Sequence, residues 1–144
     1  MAQVDFYQLS RDPVERVVPS LASRVLDAGG KLLLVSGDAG QRAALSDALW
    51  ARGGFLAHGE AGVRHAERQP VLLSDRCEAG NGARIAILAD GEWREECSGF
   101  ERTILLFAPE QRSGAQGLWR DLREAGNALR IFKQDEPGAW REGR

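Results

Sequence analysis

Residues 102–109 read Arg-Thr-Ile-Leu-Leu-Phe-Ala-Pro, and this stretch decides which class of fold the chain can adopt. The β-branched and aromatic run over 103–107 is too short for a helix and stops before a proline, which predicts a strand buried on both faces. Ser113 and Gln116 then have the spacing of a capping box, and Gly126 provides a helix stop. Because a second apolar run follows this helix, we expect two parallel strands joined by a right-handed helical crossover.

The same alternation of apolar runs and helical patterns covers most of the chain. Further strands are predicted at 4–9, 31–36, 70–74, 84–88 and 128–133, and further helices at 14–28 and 39–52. Pro19 predicts either a kink in the first helix or a helix that begins near Val18. No repeat or linker divides the chain, so we expect a single α/β domain over 1–134, with a mostly parallel sheet and helices on both faces. Residues 135–144 are predicted to form a poorly ordered tail.

The bulk composition indicates a soluble protein without export or membrane signals. The formal net charge of the 144 residues is -2, so no overall basic field favours direct DNA binding. No apolar run reaches the roughly twenty residues of a membrane helix, and the N-terminus has no signal-peptide pattern. We therefore expect a cytoplasmic protein that meets DNA only through another protein. In that reducing compartment Cys77 and Cys97 should be free thiols.

Catalytic motifs are scarce. Residues 36–40, Ser-Gly-Asp-Ala-Gly, lie between a strand and a helix, yet match neither Gly-x-Gly-x-x-Gly nor a phosphate-binding loop. The Asp38 carboxylate would repel a phosphate, so helix capping is the preferred interpretation. His58 and His65 show no metal-ligand spacing with the cysteines, although a Cys–His nucleophile pair stays open because such pairs meet only in space. We expect no catalytic residue, metal or cofactor; the alternative is a doubly wound nucleotide- or phosphate-binding enzyme that uses the Gly37–Asp38 edge.

The last predicted helix carries a second face beside its apolar one. Gln116, Trp119 and Arg123 form a stripe at helical spacing, with Arg120 beside it and Arg112 just ahead of the helix. An aromatic ring among three arginines suits an acidic partner with an apolar end.

Trp50 and Trp119 each lie beside, not within, the apolar stripe of their helices. Either one alone is explained by a boundary residue that completes the core. If the two helices are neighbours in space, the tryptophans, Phe55 and the arginines would instead form a surface pocket, since tryptophan and arginine dominate binding hot spots.

Several segments together resemble the chi subunit of bacterial DNA polymerase III. The matching segments are 4–9 (Val-Asp-Phe-Tyr-Gln-Leu), 47–50 (Asp-Ala-Leu-Trp), 55–59 (Phe-Leu-Ala-His-Gly), 69–73 (Gln-Pro-Val-Leu-Leu), 107–109 (Phe-Ala-Pro) and 119–126 (Trp-Arg-x-x-Arg-x-x-Gly). No single segment is a strong motif. Their order and spacing are specific, and they cover nearly the whole chain.

The resemblance implies a non-enzymatic subunit with a Rossmann-like sheet and no bound nucleotide. Chi proteins pair with the psi subunit, which tethers them to the clamp loader, and on another surface they bind the acidic C-terminal tail of the single-stranded-DNA-binding protein. That tail ends in a phenylalanine with a free carboxylate. The residues that the resemblance assigns to tail binding are Trp50, Phe55, Ala108, Arg112, Gln116, Trp119, Arg120 and Arg123.

Within this set, the apolar and the charged residues have different expected roles. The phenylalanine ring is expected in a slot formed by Trp50, Phe55, Ala108 and Trp119. Gln116 stands where the best-known family member has a basic residue, so Arg112, Arg120 or Arg123 would supply the charge for the carboxylates. A scaffold that only holds psi, with the arginine helix merely solvated, is a further alternative.

Overall fold

The computed structural model describes residues 2–10, 13–51, 58–60, 69–78, 80–134 and 140–143. The strands in these ranges are β1 (Gln3–Gln8), β2 (Leu32–Val35), β3 (His58–Glu60), β4 (Val71–Ser74), β5 (Ile85–Leu88), β6 (Arg102–Phe107), β7 (Ala128–Gln134) and β8 (Trp140–Glu142). The helices are α1 (Val14–Asp27), α2 (Ala39–Ala51) and α3 (Arg112–Glu124), and short 3₁₀ turns lie at Glu95–Gly99 and Pro109–Gln111. Every strand and helix predicted from the sequence is present.

The described strands all join one sheet, in the order β3-β4-β2-β5-β6-β1-β7-β8. Neighbouring strands are parallel except β7 and β8, which pair antiparallel. The predicted single, mostly parallel α/β sheet is therefore confirmed, but its strand order differs from the 3-2-1-4-5-6 order of the Rossmann fold. β8 belongs to the stretch for which the sequence predicts poor order, and residues 135–139 of that stretch lie outside the described residues.

Two apolar cores lie on the two faces of the sheet, because alternate side chains of a strand point to opposite faces. Leu32 and Leu34 of β2 join the first core, whereas Leu33 and Val35 join the second. The helical residues divide in the same way. Val17, Leu21, Leu45 and Leu49 of α1 and α2 join the first core, and Ala115 and Leu122 of α3 join the second. α2 and α3 consequently pack against different faces of the sheet.

The first helix begins earlier in the chain than the start near Val18, which was one of the two expectations from the sequence. α1 starts at Val14 and runs through Pro19, so a start near Val18 is wrong. The carbonyl oxygen of Pro13 accepts the N–H groups of Arg16 and Val17 at 3.0 and 3.2 Å, which forms the first turn ahead of the interior proline. The Pro19 ring is buried, and this burial offsets the hydrogen bond that proline cannot donate.

The start of α3 also differs from the prediction, while its end agrees. The helix begins at Arg112, so Ser113 lies inside it and the predicted capping box is wrong. A 3₁₀ turn leads into the helix instead, and the Gln111 side-chain oxygen accepts the Ala108 N–H at 2.9 Å. Gly126 follows the helix with a φ of 91°, which confirms the predicted stop.

The prediction of two free thiols is contradicted, because Cys77 and Cys97 form a disulfide with their Cα atoms 5.6 Å apart. Cys77 follows β4, and Cys97 lies in the 3₁₀ turn before β6. Both side chains are buried in the second core. The expectation was based on the cellular compartment. The two loops are close because β4, β2, β5 and β6 lie side by side in the sheet, which spacing along the chain does not reveal.

Candidate functional site

An open groove of about 410 Å³ lies between α3 and the second-core face of β1, β6 and β7; we call it the α3 groove. Its apolar floor is formed by Phe6, Phe107, Ala115, Trp119 and Ile131. The ring centroid of Phe6 lies 5.1 Å from that of Trp119 and 6.3 Å from that of Phe107, and both pairs meet edge to face. This is a favoured arrangement of aromatic rings, so the three rings of the floor stabilise one another.

The rim of the α3 groove is polar and positively charged. Gln8 and Lys133 lie side by side in the register of β1 and β7, and α3 supplies Arg112, Gln116 and Arg123. Within the described part of the chain, no acidic side chain lines the groove and no ion pair involves its three cations. The groove can therefore receive carboxylates at its rim and an apolar group on its floor.

The structure brings together four of the residues assigned from the sequence: Arg112, Gln116, Trp119 and Arg123. They line one side of α3 because positions i, i+4, i+7 and i+11 recur on the same helical face. Arg120 is exposed on the neighbouring stripe and does not line the groove. Ala108 is half-buried where the chain leaves β6, and it also lies outside the lining.

Trp50 lies elsewhere in the molecule. It is close to the end of α2 and 58% exposed, while Leu45 and Leu49 of the same helix pack into the first core. Because α3 packs against the other face, the sheet separates Trp50 from Trp119. The two helices are thus not neighbours in the way that a shared slot requires. Phe55 lies outside the described residues.

Six lining residues were not among those assigned from the sequence: Phe6, Gln8, Phe107, Ala115, Ile131 and Lys133. Phe6 and Gln8 are two positions apart in β1, as are Ile131 and Lys133 in β7, so each pair shares a face of its strand. That signal was present in the sequence. It indicated no site because the pairing of β1 with both β6 and β7 depends on tertiary structure.

At the Gly37–Asp38 edge, the polar groups are bound by the chain itself. The Gly37 N–H donates to the Asp90 carboxylate at 2.9 Å, and Arg94 donates to both oxygens of that carboxylate at 3.0 and 2.7 Å. Burial would raise the pKa of Asp90, but the hydrogen bonds from Arg94 and from backbone N–H groups hold it below its ordinary value. Asp38 caps α2 by accepting the N–H two residues on, at 2.8 Å. A phosphate here would meet two carboxylates, which disfavours the nucleotide-binding alternative.

Other candidate chemistry finds little support in the described residues. They contain no group of three His, Cys, Asp or Glu side chains that could hold a metal ion, and no free thiol for a Cys–His pair. The side chain of His58 and the whole of His65 lie outside the description. Among the described helices, none combines the length and apolar character that crossing a membrane requires.

Comparison with known proteins shows which family the chain belongs to. No curated protein matches the chain. The family model described as DNA polymerase III chi subunit, HolC, matches residues 1–130 of the 144, which include β1 to β6, all three helices and the start of β7. The chain therefore belongs to the family of DNA polymerase III chi subunits, which are accessory subunits of that polymerase.

Proposed function

We propose that the chain binds the acidic C-terminal tail of the single-stranded-DNA-binding protein in the α3 groove and connects it, through the psi subunit, to the clamp loader. In this role the protein is non-catalytic, works in the cytoplasm and meets DNA only through its partner. Residues 1–134 act as one domain. The family membership supports the polymerase III context.

The observation that carries the tail-binding proposal is the pairing of an aromatic floor with a cationic rim whose side chains form no ion pair within the described part of the chain. A terminal phenylalanine ring fits against Phe6 and Trp119, where it adds to an existing edge-to-face cluster. The acidic residues of the tail then meet Arg112, Arg123 and Lys133. Because a short flexible tail must be ordered on binding, we expect micromolar affinity, about -8 kcal/mol.

The psi connection has a different basis from the tail site. It is supported by the family membership alone, because the α3 groove suits an acidic peptide rather than a second subunit. If the groove is occupied by the tail, psi must use another surface, so both partners can bind together. Co-purification of the chain with psi, with and without excess tail peptide, tests this arrangement; exclusion of psi by the peptide would contradict it.

The tail-binding proposal is tested by titrating a labelled acidic peptide that ends in a free phenylalanine. Trp119→Ala removes the centre of the floor and should weaken binding by at least about tenfold, since buried tryptophans are typical hot spots. Trp50→Ala is the matched control, because Trp50 lies outside the α3 groove. Fluorescence anisotropy gives the affinities, and circular dichroism checks that each variant is folded.

Three outcomes separate the alternatives. Loss of binding in Trp119→Ala with wild-type affinity in Trp50→Ala supports the α3 groove. Equal loss in both variants would support the shared slot of Trp50, Phe55, Ala108 and Trp119 that the resemblance implies, and loss in Trp50→Ala alone would move the tail site to the surface of α2. Absence of binding to the wild type at low salt would remove the tail-binding role, leaving a scaffold that only holds psi.

A further inference from the structure

The two ends of the α3 groove differ in polarity. β1 and β7 form two rows across its floor: Phe6 pairs with Ile131, and Gln8 pairs with Lys133 two positions further on. Two residues of a strand advance about 6.6 Å, which is comparable to the reach of a phenylalanine ring from its own carboxylate. The first row is apolar and the second is polar. A terminal phenylalanine can therefore place its ring on the first row and its carboxylate at the second.

The helix contributes a cation at each end. Arg112 is the first residue of α3 and therefore lies at the end where β6 has finished, beside the row of Gln8 and Lys133. Arg123 lies in the last turn, about 16 Å further along the helix axis.

The surroundings of these cations differ as well. Arg123 shares a second hollow with Glu142 of β8 and with Arg130, whose charge is already paired with Asp5, whereas no acidic residue among those described lines the groove at the Arg112 end. Arg112 and Lys133 have no carboxylate beside them among the described lining residues, so this end of the groove is the more favourable position for a concentrated negative charge.

We propose that Lys133, together with Arg112, binds the terminal carboxylate of the tail, so that the peptide enters past Arg123 and ends at the carboxyl end of β7. This assignment rests on the tail-binding function proposed above. It gives the peptide a direction, with its last ring on Phe6 and its preceding acidic residues toward the far end of α3. Lys133 is exposed, so its replacement removes a charge without disturbing either core.

The test combines two peptides with two variants. The peptides are identical except that one ends in a free carboxylate and the other in an amide. The variants are Lys133→Gln and Arg123→Gln, which remove one positive charge each from opposite ends of the groove. We expect amidation to weaken binding to the wild type and to Arg123→Gln by about tenfold, the value of one charge-assisted hydrogen bond. In Lys133→Gln amidation should weaken binding clearly less than in the wild type, because only Arg112 then remains at the carboxylate, and Lys133→Arg should restore the full sensitivity.

The outcomes distinguish this inference from the function on which it rests. If the wild type binds neither peptide, the tail-binding function fails. If the wild type binds and amidation costs as much in Lys133→Gln as in the wild type, the function stands and the role of Lys133 is wrong. If the sensitivity to amidation disappears in Arg123→Gln instead, the peptide lies in the opposite direction.

Discussion

Asp5 is a charged residue that lies inside the sheet, where its position in the sequence predicts only a strand. It is fully buried in β1, and its carboxylate accepts hydrogen bonds from Arg102 at 2.7 Å and from Arg130 at 3.0 and 2.9 Å. Gln3 donates a further one at 3.0 Å. Burial alone would raise the pKa of Asp5, but the hydrogen bonds from Arg130 and Gln3 and the charge of Arg102 hold it below its ordinary value.

Asp5→Asn should lower the free energy of unfolding at neutral pH by about 2 to 3 kcal/mol, since it leaves two partly buried arginines without their shared charge. The pKa of Asp5 is lower in the folded than in the unfolded state. Its contribution is therefore complete above the unfolded value of about 3.9 and is lost as the pH falls through the folded value. Urea unfolding of both proteins from about pH 6 to about pH 3 measures this. A stability difference that stays constant across the series would contradict the assigned role of the carboxylate.

At the scale of a single element, one glycine follows the end of α3 and another lies inside the helix, and the two need different backbone conformations. Gly126 adopts a φ of 91° after the helix, and its N–H donates to the Arg123 carbonyl oxygen at 3.1 Å. Gly117 lies inside the helix. A Cβ at either position would meet nothing within 4 Å, so backbone conformation alone decides the effect of adding one.

Gly126→Ala should therefore destabilise the protein by about 1 kcal/mol, because alanine disfavours the left-handed conformation. Gly117→Ala should stabilise it by about 0.5 to 1 kcal/mol, because glycine inside a helix loses more backbone entropy than alanine. Thermal or urea unfolding gives both values. The same sign for the two variants would contradict the left-handed conformation of Gly126 after the end of α3.

At the scale of the whole molecule, the Cys77–Cys97 disulfide ties two loops across a sequence separation of 20 residues. By restricting the unfolded chain, a closed loop of this size contributes about 3 kcal/mol. Adding a reductant should lower the free energy of unfolding of the wild type by about this amount. The double variant Cys77→Ala, Cys97→Ala should not respond to it. An identical response of the two proteins, together with alkylation of both native thiols, would restore the expectation of free cysteines.

Most strands and helices could be predicted from the sequence, because the residue patterns that indicate them are local. The apolar run over 103–107 predicts a buried strand from its own composition, and β6 is buried over these residues. The stop at Gly126 is equally local, since it depends on one backbone angle. Where the prediction failed locally, at Ser113, a 3₁₀ turn and the side chain of Gln111 replaced the expected cap.

Only the α3 side of the groove could be predicted from the sequence, for a related reason. Arg112, Gln116, Trp119 and Arg123 lie on one helix, so helical periodicity alone places them on one stripe. Their partners on the floor come from β1 and β7, which are more than a hundred residues apart in the chain and neighbours in the sheet. Trp50 and Trp119 each lie beside the apolar stripe of a helix, so the local sequence does not distinguish them. Their helices nevertheless pack against different faces of the sheet.

The sequence by itself determined the α/β class, the three described helices, six of the eight described strands and the cationic, aromatic stripe of α3, because each depends on residues close together in the chain. Only the tertiary structure decided which strands are neighbours, and with that the floor of the α3 groove, the buried Asp5 network and the disulfide. The physical reason is that strand order depends on long-range pairing of backbones that are chemically alike. The choice among such pairings comes from packing the whole chain, which no local pattern contains.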